Sequence, residues 1–116
     1  MRILEARPGF AKVAMVVRDD MLNGHGACHG GLIFTLADSA FAFSCNSHGG
    51  MVVGAAVAVD YLAPARGGDE LTAVAEERWR AKRNGIYEVT VTNQRGETLA
   101  LFRGRSHRVR EHVDGD

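Results

Sequence analysis

Residues 23–46 read NGHGACHGGLIFTLADSAFAFSCN, and this stretch decides the fold. It begins as a glycine-rich polar loop, in which the missing Cβ atoms let the backbone come close to another group. From Gly30 to about Asn46, apolar side chains recur every three or four residues, which predicts a helix. Small residues nearly all round this helix indicate deep burial. The helix is expected to end at Ser47-His48-Gly49-Gly50, because glycine is favoured just past a helix C-terminus.

Outside this stretch the chain predicts about five strands. Asn84-Gly85 is a strong hairpin signal between two of them, and Gln94-Arg95-Gly96 is a second turn. The tail His112–Asp116 is expected to be frayed. One buried helix with strands mostly in hairpin order predicts an α+β fold, with an antiparallel sheet around a central helix. The predicted strands are Phe10–Val17, Met51–Leu62, Glu70–Lys82, Ile86–Asn93 and Glu97–Val109.

Composition narrows the possible functions. The 116 residues predict one domain spanning residues 1–116, and 46% hydrophobic residues exclude disorder. Fourteen basic and fourteen acidic residues give no net charge, which argues against nucleic acid or a membrane surface as the main partner. No apolar run approaches a membrane span, and the N-terminus lacks a signal-peptide core. Two cysteines are too few for a disulfide framework and predict reduced thiols in a cytoplasmic protein.

Asp38 is the one carboxylate in the apolar helical run. It admits two interpretations: a buried structural carboxylate satisfied by hydrogen bonds, or a general base beside a substrate and a water molecule. Apolar surroundings are expected to raise its pKa, as suits a base. Because burial of an unpaired charge is costly, a functional cleft is the favoured interpretation.

Gly30 and Gly31 supply the second chemical element. An N–H group at a helix start, reinforced by the helix dipole, can polarise a carbonyl and stabilise an oxyanion, although a plain tight turn would use the same glycines. Asp38 lies eight residues after Gly30, or about 12 Å along one helix axis. Both groups cannot then reach one carbon atom from the same helix. The spacing therefore predicts a dimer in which two antiparallel helices share two sites.

Other candidates are weaker. His25, Cys28 and His29 resemble half a zinc site, but no further ligand pair is evident, so we predict no metal and no cofactor. The loop lacks the Lys-Ser/Thr ending of a phosphate-binding loop. The basic residues around Arg78–Arg83 are typical of solvated strand faces, although some of them can meet the phosphates of a nucleotide-bearing substrate. Trp79 and Tyr87 are interpreted as packing residues.

With these residues in view, the chain resembles the hotdog-fold acyl-CoA thioesterases, specifically the phenylacetyl-CoA thioesterase (PaaI) group. The resemblance covers roughly Phe10 to Arg108. It implies a curved antiparallel sheet around a central helix, an acyl-CoA substrate, and homodimers with shared sites that assemble into a homotetramer. The matching residues are Asn23, His25-Gly26, His29-Gly30-Gly31, Leu36-Ala37-Asp38, Ala40-Phe41-Ala42, Cys45-Asn46-Ser47, Asp60-Tyr61-Leu62, Pro64 and Ala100-Leu101-Phe102-Arg103-Gly104.

The resemblance also implies roles. Asp38 would be the general base or nucleophile, the Gly30 N–H would hold the thioester oxygen, Asn23 would orient water or substrate, and His29 would support the loop. An aryl- or arylacetyl-CoA in phenylacetate degradation is the implied substrate. Two alternatives stay open: a dehydratase or hydratase that uses His29 and an acid, and a non-catalytic acyl-CoA binding module. The implied substrate-binding positions are Gly31, Phe41, Tyr61, Lys82, Arg83 and Asn84.

Overall fold

A computed structural model describes residues 1–49 and 51–110 as one helix and six strands, with a short 3₁₀ turn before the helix. The predicted fraying of His112–Asp116 lies outside the described residues. The elements are β1 (Arg2–Arg7), β2 (Phe10–Val16), the 3₁₀ turn (Asp19–Met21), α1 (Gly30–Asn46), β3 (Met51–Tyr61), β4 (Glu70–Ala81), β5 (Asn84–Thr92) and β6 (Thr98–Arg110). None of the described helices is both long enough and apolar enough to cross a bilayer.

The six strands form one antiparallel sheet in the order β1-β2-β4-β5-β6-β3. Hairpins join β1 to β2, β4 to β5 and β5 to β6, while β3 crosses to the far side of β6. Strands β1 and β3 are therefore the two edges. The predicted architecture, one helix against an antiparallel sheet, is confirmed.

The core lies between one face of α1 and the inward side chains of the sheet. Phe41 sits at its centre, with its ring centroid 5.5 Å from that of Tyr87 and 5.8 Å from that of Phe102. Gly104 makes room for this ring, because a Cβ atom there would lie 2.8 Å from Phe41 Cζ. The buried residues of α1 are Ile33, Leu36, Ala37, Ala40, Phe41, Ser44 and Cys45.

The small residues of the helix predict burial on all sides, but the structure buries only one of its faces. Its opposite face is exposed in the single chain and carries Thr35, Asp38 and Ala42, with the large apolar Phe43 next to it. Small and apolar residues at these positions suit a surface that another protein covers as well as they suit a core. Composition alone does not distinguish the two cases.

Two strand predictions were wrong. The hairpin turn lies at Lys82-Arg83, with Lys82 at φ +32°, while Asn84 and Gly85 pair with Ala81 and Arg80 inside the sheet. Gly85 serves packing instead: a Cβ atom there would lie 2.9 Å from the Tyr87 ring. The sequence also missed β1, an edge strand exposed along its whole length, which lacks the alternation of a half-buried strand.

Candidate active site

The loop before α1 is organised by Asn23. Its Oδ1 accepts hydrogen bonds from the N–H groups of His25 at 2.9 Å and Ala27 at 3.3 Å. Gly26 completes the turn at φ +76°, a left-handed conformation that favours glycine. The predicted loop is therefore confirmed, and the side-chain oxygen of Asn23 is engaged in shaping it. The Asn23 amide nitrogen is the atom that remains for a substrate or water molecule.

The start of α1 offers backbone donors. His29 occupies the N-cap, and its carbonyl accepts the N–H groups of Leu32 at 3.0 Å and Ile33 at 3.4 Å. Among the described residues, the N–H groups of Gly30 and Gly31 find no acceptor. Unpaired N–H groups at the positive end of a helix dipole suit an anion or a polarised carbonyl oxygen.

Tyr61, the last residue of β3, closes over this helix start. Its hydroxyl donates a hydrogen bond to the Gly30 carbonyl at 2.8 Å. A Cβ atom at Gly30 would lie 3.2 Å from the Tyr61 ring, so Tyr61 is a reason for glycine at this position that the sequence did not reveal. A cavity of about 380 Å³ adjoins both residues and is lined also by Asn23, Ile33 and Leu62.

Asp38 lies in the middle of α1 on its exposed face. The expectation of an apolar, buried carboxylate is wrong for the single chain. Within the described residues, the Asp38 side chain makes no hydrogen bond or ion pair, which removes the interpretation of a structural carboxylate satisfied by hydrogen bonds. Gly30 and Asp38 do lie on one helix, so the separation of about 12 Å along its axis holds.

The remaining candidates in the loop serve other purposes. Cys28 is buried, and burial raises the pKa of its thiol, which opposes a role as thiolate nucleophile. His29 is exposed at the N-cap, with its N–H bonded to the Met21 carbonyl at 2.9 Å. No three His, Cys, Asp or Glu side chains of residues 1–49 and 51–110 are grouped as a metal site would require.

The implied substrate-binding positions divide into three groups. Gly31 and Tyr61 lie at the helix start. Phe41 is only 2% exposed, and the structure places it in the core instead of at a substrate surface. Lys82, Arg83 and Asn84 lie at the turn of the β4–β5 hairpin. The sheet register places this turn at the opposite end of the sheet from Tyr61.

Strand pairing locates the hairpin. Asn84 pairs with His107, near the end of β6 that pairs with Val52, whereas Tyr61 pairs with Ala100 at the other end of β6. Within one chain the basic hairpin and the Gly30 N–H groups therefore lie at opposite ends of the sheet.

The two predicted packing aromatics differ. Tyr87 is buried, as predicted, but Trp79 is 54% exposed, beside Lys82, Arg83 and Asn84. The predicted solvated basic strand face is confirmed for Arg78, which forms exposed ion pairs with Glu76 and Glu88.

Comparisons with known proteins agree with this geometry. Residues 25–100 match the thioesterase superfamily. The acyl-coenzyme A thioesterase PaaI of Escherichia coli is 47% identical over 114 residues, which cover 98% of this chain and 81% of the relative. A putative esterase of Archaeoglobus fulgidus is 42% identical over 110 residues, 95% of this chain and 71% of the relative.

Solved structures show the same fold. The structure of the E. coli PaaI protein from the phenylacetic acid degradation operon superposes with a TM-score of 0.92 at 49% identity, covering 93% of this chain and 78% of that one. A hypothetical thioesterase with coenzyme A from Streptococcus pneumoniae gives a TM-score of 0.91 at 26% identity, covering 97% and 90%. The chain belongs to the thioesterase superfamily and has the hotdog fold of the PaaI thioesterases.

Proposed function

We propose that this thioesterase hydrolyses aryl- or arylacetyl-CoA, with phenylacetyl-CoA or a ring-hydroxylated relative as the preferred substrate. The observation that carries the proposal is the pair of unpaired N–H groups at Gly30 and Gly31, of which Gly30 lines a cavity. Ile33, Leu62 and Pro64 give that cavity apolar lining suited to an aromatic acyl group. The E. coli PaaI thioesterase is 47% identical to this chain and comes from a phenylacetic acid degradation operon, which supports the substrate class.

In this proposal the Gly30 N–H binds the thioester oxygen and stabilises the negative charge that develops on it. Asp38 takes a proton from a water molecule as the water oxygen attacks the thioester carbon. Collapse of the tetrahedral intermediate breaks the C–S bond and releases the free acid, and the proton on Asp38 passes to the departing thiolate, which gives CoA and restores the Asp38 carboxylate. Direct attack by Asp38 would instead form a mixed anhydride that water then hydrolyses. A single turnover in oxygen-18 water that puts the label into Asp38 identifies direct attack, because water has then opened the anhydride at the Asp38 carbonyl.

The 12 Å separation requires that Gly30 and Asp38 come from different subunits of a dimer. Strand β3 supports such a dimer: it is an edge strand of 11 residues, apolar over most of its length and largely exposed. A long, exposed apolar edge strand is a template for pairing with another chain. Two β3 strands that pair antiparallel about a two-fold axis would also set two α1 helices antiparallel. The resemblance further implies that two such dimers form a tetramer.

The same two-fold axis gives the basic hairpin a role. Antiparallel pairing brings the Met51 end of one β3 strand towards the Tyr61 end of the other. Lys82, Arg83 and Asn84 of one subunit then lie at the end of the sheet where the second subunit carries Gly30. Lysine and arginine side chains suit the phosphates of CoA.

A cytoplasmic location is proposed as well. Both cysteines are free and buried, in keeping with a reducing compartment.

A thiol-release assay over a panel of acyl-CoA substrates tests the proposed reaction. The panel contains phenylacetyl-CoA, its 3- and 4-hydroxy derivatives, benzoyl-CoA and short aliphatic acyl-CoAs. We expect the highest kcat/KM for an arylacetyl-CoA. Hydration of crotonyl-CoA without thiol release would instead favour the hydratase, and saturable binding without turnover would favour the binding module.

Trp79, the single tryptophan of the chain, reports on the proposed nucleotide site. Coenzyme A should change its fluorescence, and the double substitution Lys82→Ala, Arg83→Ala should weaken that binding. The double variant should raise KM for acyl-CoA but leave hydrolysis of an acyl-N-acetylcysteamine, which lacks the nucleotide, unchanged. Arg2→Ala removes an exposed cation from the distant edge strand β1 and is the matched control. An equal loss on both substrates would contradict the assignment.

A further inference from the structure

Tyr61 makes a contact that binding of substrate would not require. Its hydroxyl donates a hydrogen bond to the first carbonyl of α1, at 2.8 Å from the Gly30 oxygen. The residue is nevertheless half exposed and borders the cavity. In an α-helix this carbonyl also accepts the N–H group four residues later, so the Gly30 oxygen serves two donors. The contact joins positions 31 residues apart, on the edge strand and at the helix start.

The hydrogen bond from Tyr61 also affects Gly31, the next residue in the chain. The Gly30 carbonyl and the Gly31 N–H are the two ends of one planar peptide group, coupled by resonance. A hydrogen bond donated to the carbonyl increases the polarisation of that group and makes its N–H a stronger donor, by about 10–30% per bond. The Gly31 N–H is one of the two donors without an acceptor among the described residues. A Cβ atom at Gly31 would meet nothing within 4 Å, so the space beside the Gly31 Cα atom is open.

We propose that Tyr61 is a positioning residue that orients and polarises the Gly30–Gly31 peptide, so that the Gly31 N–H acts as a second donor to the thioester oxygen. The proposal rests on the proposed function, in which the Gly30 N–H is the first donor. It replaces the predicted direct contact of Tyr61 with substrate, because the hydroxyl donates its proton to the protein backbone. The ring, packed against Gly30, restricts the tilt of the first helical turn.

The alternative is purely structural: the hydrogen bond would only fasten the end of β3 to α1. The two roles differ in what the hydroxyl changes. A fastening role affects the free energy of unfolding and leaves the chemical step alone. A positioning role affects the Gly31 N–H and the transition state, and thus kcat more than KM.

Tyr61→Phe removes the hydroxyl and keeps the ring. We expect kcat for the preferred acyl-CoA to fall about 1.3- to 5-fold, as for loss of about 10–30% of a charge-assisted hydrogen bond, with KM little changed. In the free, isotope-labelled protein, the Gly31 amide proton resonance should move upfield, as expected for a weaker donor. Fluorinated tyrosines at position 61, whose phenols are stronger hydrogen-bond donors, should raise kcat in the order of their donor strength.

Tyr87→Phe is the matched control, because it makes the same change in the other tyrosine of the chain. It should lower stability and leave the Gly31 resonance in place. An unmoved Gly31 resonance in Tyr61→Phe would overturn the proposal, as would a moved resonance with unchanged kcat. The resonance is measured without substrate, so a wild-type protein that hydrolyses no thioester would refute the proposed function and not this effect on Gly31.

Discussion

Two regions around α1 differ in whether their polar groups have partners within the chain. In the open region (Asn23, Gly30, Asp38 and Tyr61), two N–H groups and a carboxylate have no partner within the described chain. In the closed region (Ser44, His48, Glu77 and Tyr87), the polar groups are satisfied internally. Glu77 Oε1 lies 2.8 Å from His48 Nε2 and accepts the Tyr87 hydroxyl at 3.0 Å. Gly9 N–H donates to the Ser44 carbonyl at 3.3 Å.

The difference separates stability from chemistry. Buried polar groups in native proteins are almost always paired, because an unpaired one costs about 1–3 kcal/mol. The closed region follows this rule with contacts from β4, β5 and the turn after β1. In the proposed function, the donors and the carboxylate of the open region serve groups outside the chain, namely a substrate and a second subunit. Substitutions in the open region should therefore lower activity with little change in stability. Substitutions in the closed region should lower stability with little change in activity.

The largest effect is expected in the open region. Asp38→Asn keeps the shape of the side chain and removes its basicity, so kcat should fall by about 10²-fold or more. The side chain is exposed and unpartnered, so the free energy of unfolding should change by less than about 0.5 kcal/mol. Steady-state kinetics and urea denaturation measure the two quantities. Asp20→Asn, which also removes an exposed carboxylate, should change neither kcat nor oligomeric state. Turnover at the wild-type rate in Asp38→Asn would refute the mechanism.

An intermediate effect is expected in the closed region. Glu77→Ala leaves the buried Tyr87 hydroxyl and His48 without their acceptor, which should cost about 1–3 kcal/mol of stability. Because the site lies at the other end of the helix, kcat should stay within about twofold. Glu76→Ala, at the neighbouring exposed position, is the control and should cost less than about 1 kcal/mol. Equal stability of the two variants would show that the Glu77 contacts do not hold this end of the helix.

The smallest effect concerns pH. Burial raises the pKa of the Cys45 thiol from 9.0 to about 11, so the folded chain holds this proton more tightly than the unfolded chain. Its contribution to stability is therefore complete below about pH 9 and is lost as the pH rises through about 11. Burial, followed by the hydrogen bond to Glu77, also raises the pKa of Tyr87, which adds a loss of the same sign above about pH 10.

Denaturation midpoints between about pH 8 and pH 11 check this sign. Cys45→Ala should flatten the decline in stability with pH. Ser44→Ala changes a buried neighbour that does not titrate, and it should lower the curve without flattening it. An equally steep decline in Cys45→Ala would contradict the assignment.

Much of this fold could be predicted because α1 and the central strands carry periodic apolar residues. The predicted helix, Gly30 to about Asn46, matches the observed element. The edge strand β1 carries no such signal, because both its faces are exposed. An Asn-Gly pair favours a turn, so the sequence predicts a turn at Gly85, whereas the fold needs a glycine there to fit the Tyr87 ring.

At the candidate site, the number of residues between two groups predicts their separation only where both groups lie on one helix or strand. The eight residues between Gly30 and Asp38 keep their meaning because α1 is continuous. The Tyr61–Gly30 contact joins distant parts of the chain and has no local signal. The motif predicts that Phe41 contacts the substrate, whereas its position on the helix directs the side chain into the core.

The central claim, that each site joins Gly30 of one subunit to Asp38 of another, is tested most directly by mixing two inactive variants. Gly30→Pro removes the N–H at the first helical position, where proline is tolerated, and Gly30→Ala keeps the N–H with the same Cβ as a control. Equimolar Gly30→Pro and Asp38→Asn subunits are unfolded together and refolded.

Half of the resulting dimers are mixed, and one of the two sites in each mixed dimer has both wild-type groups. The account predicts recovery of about a quarter of wild-type activity. No activity above that of the separate variants, in a mixture shown to contain mixed dimers, would contradict a shared site.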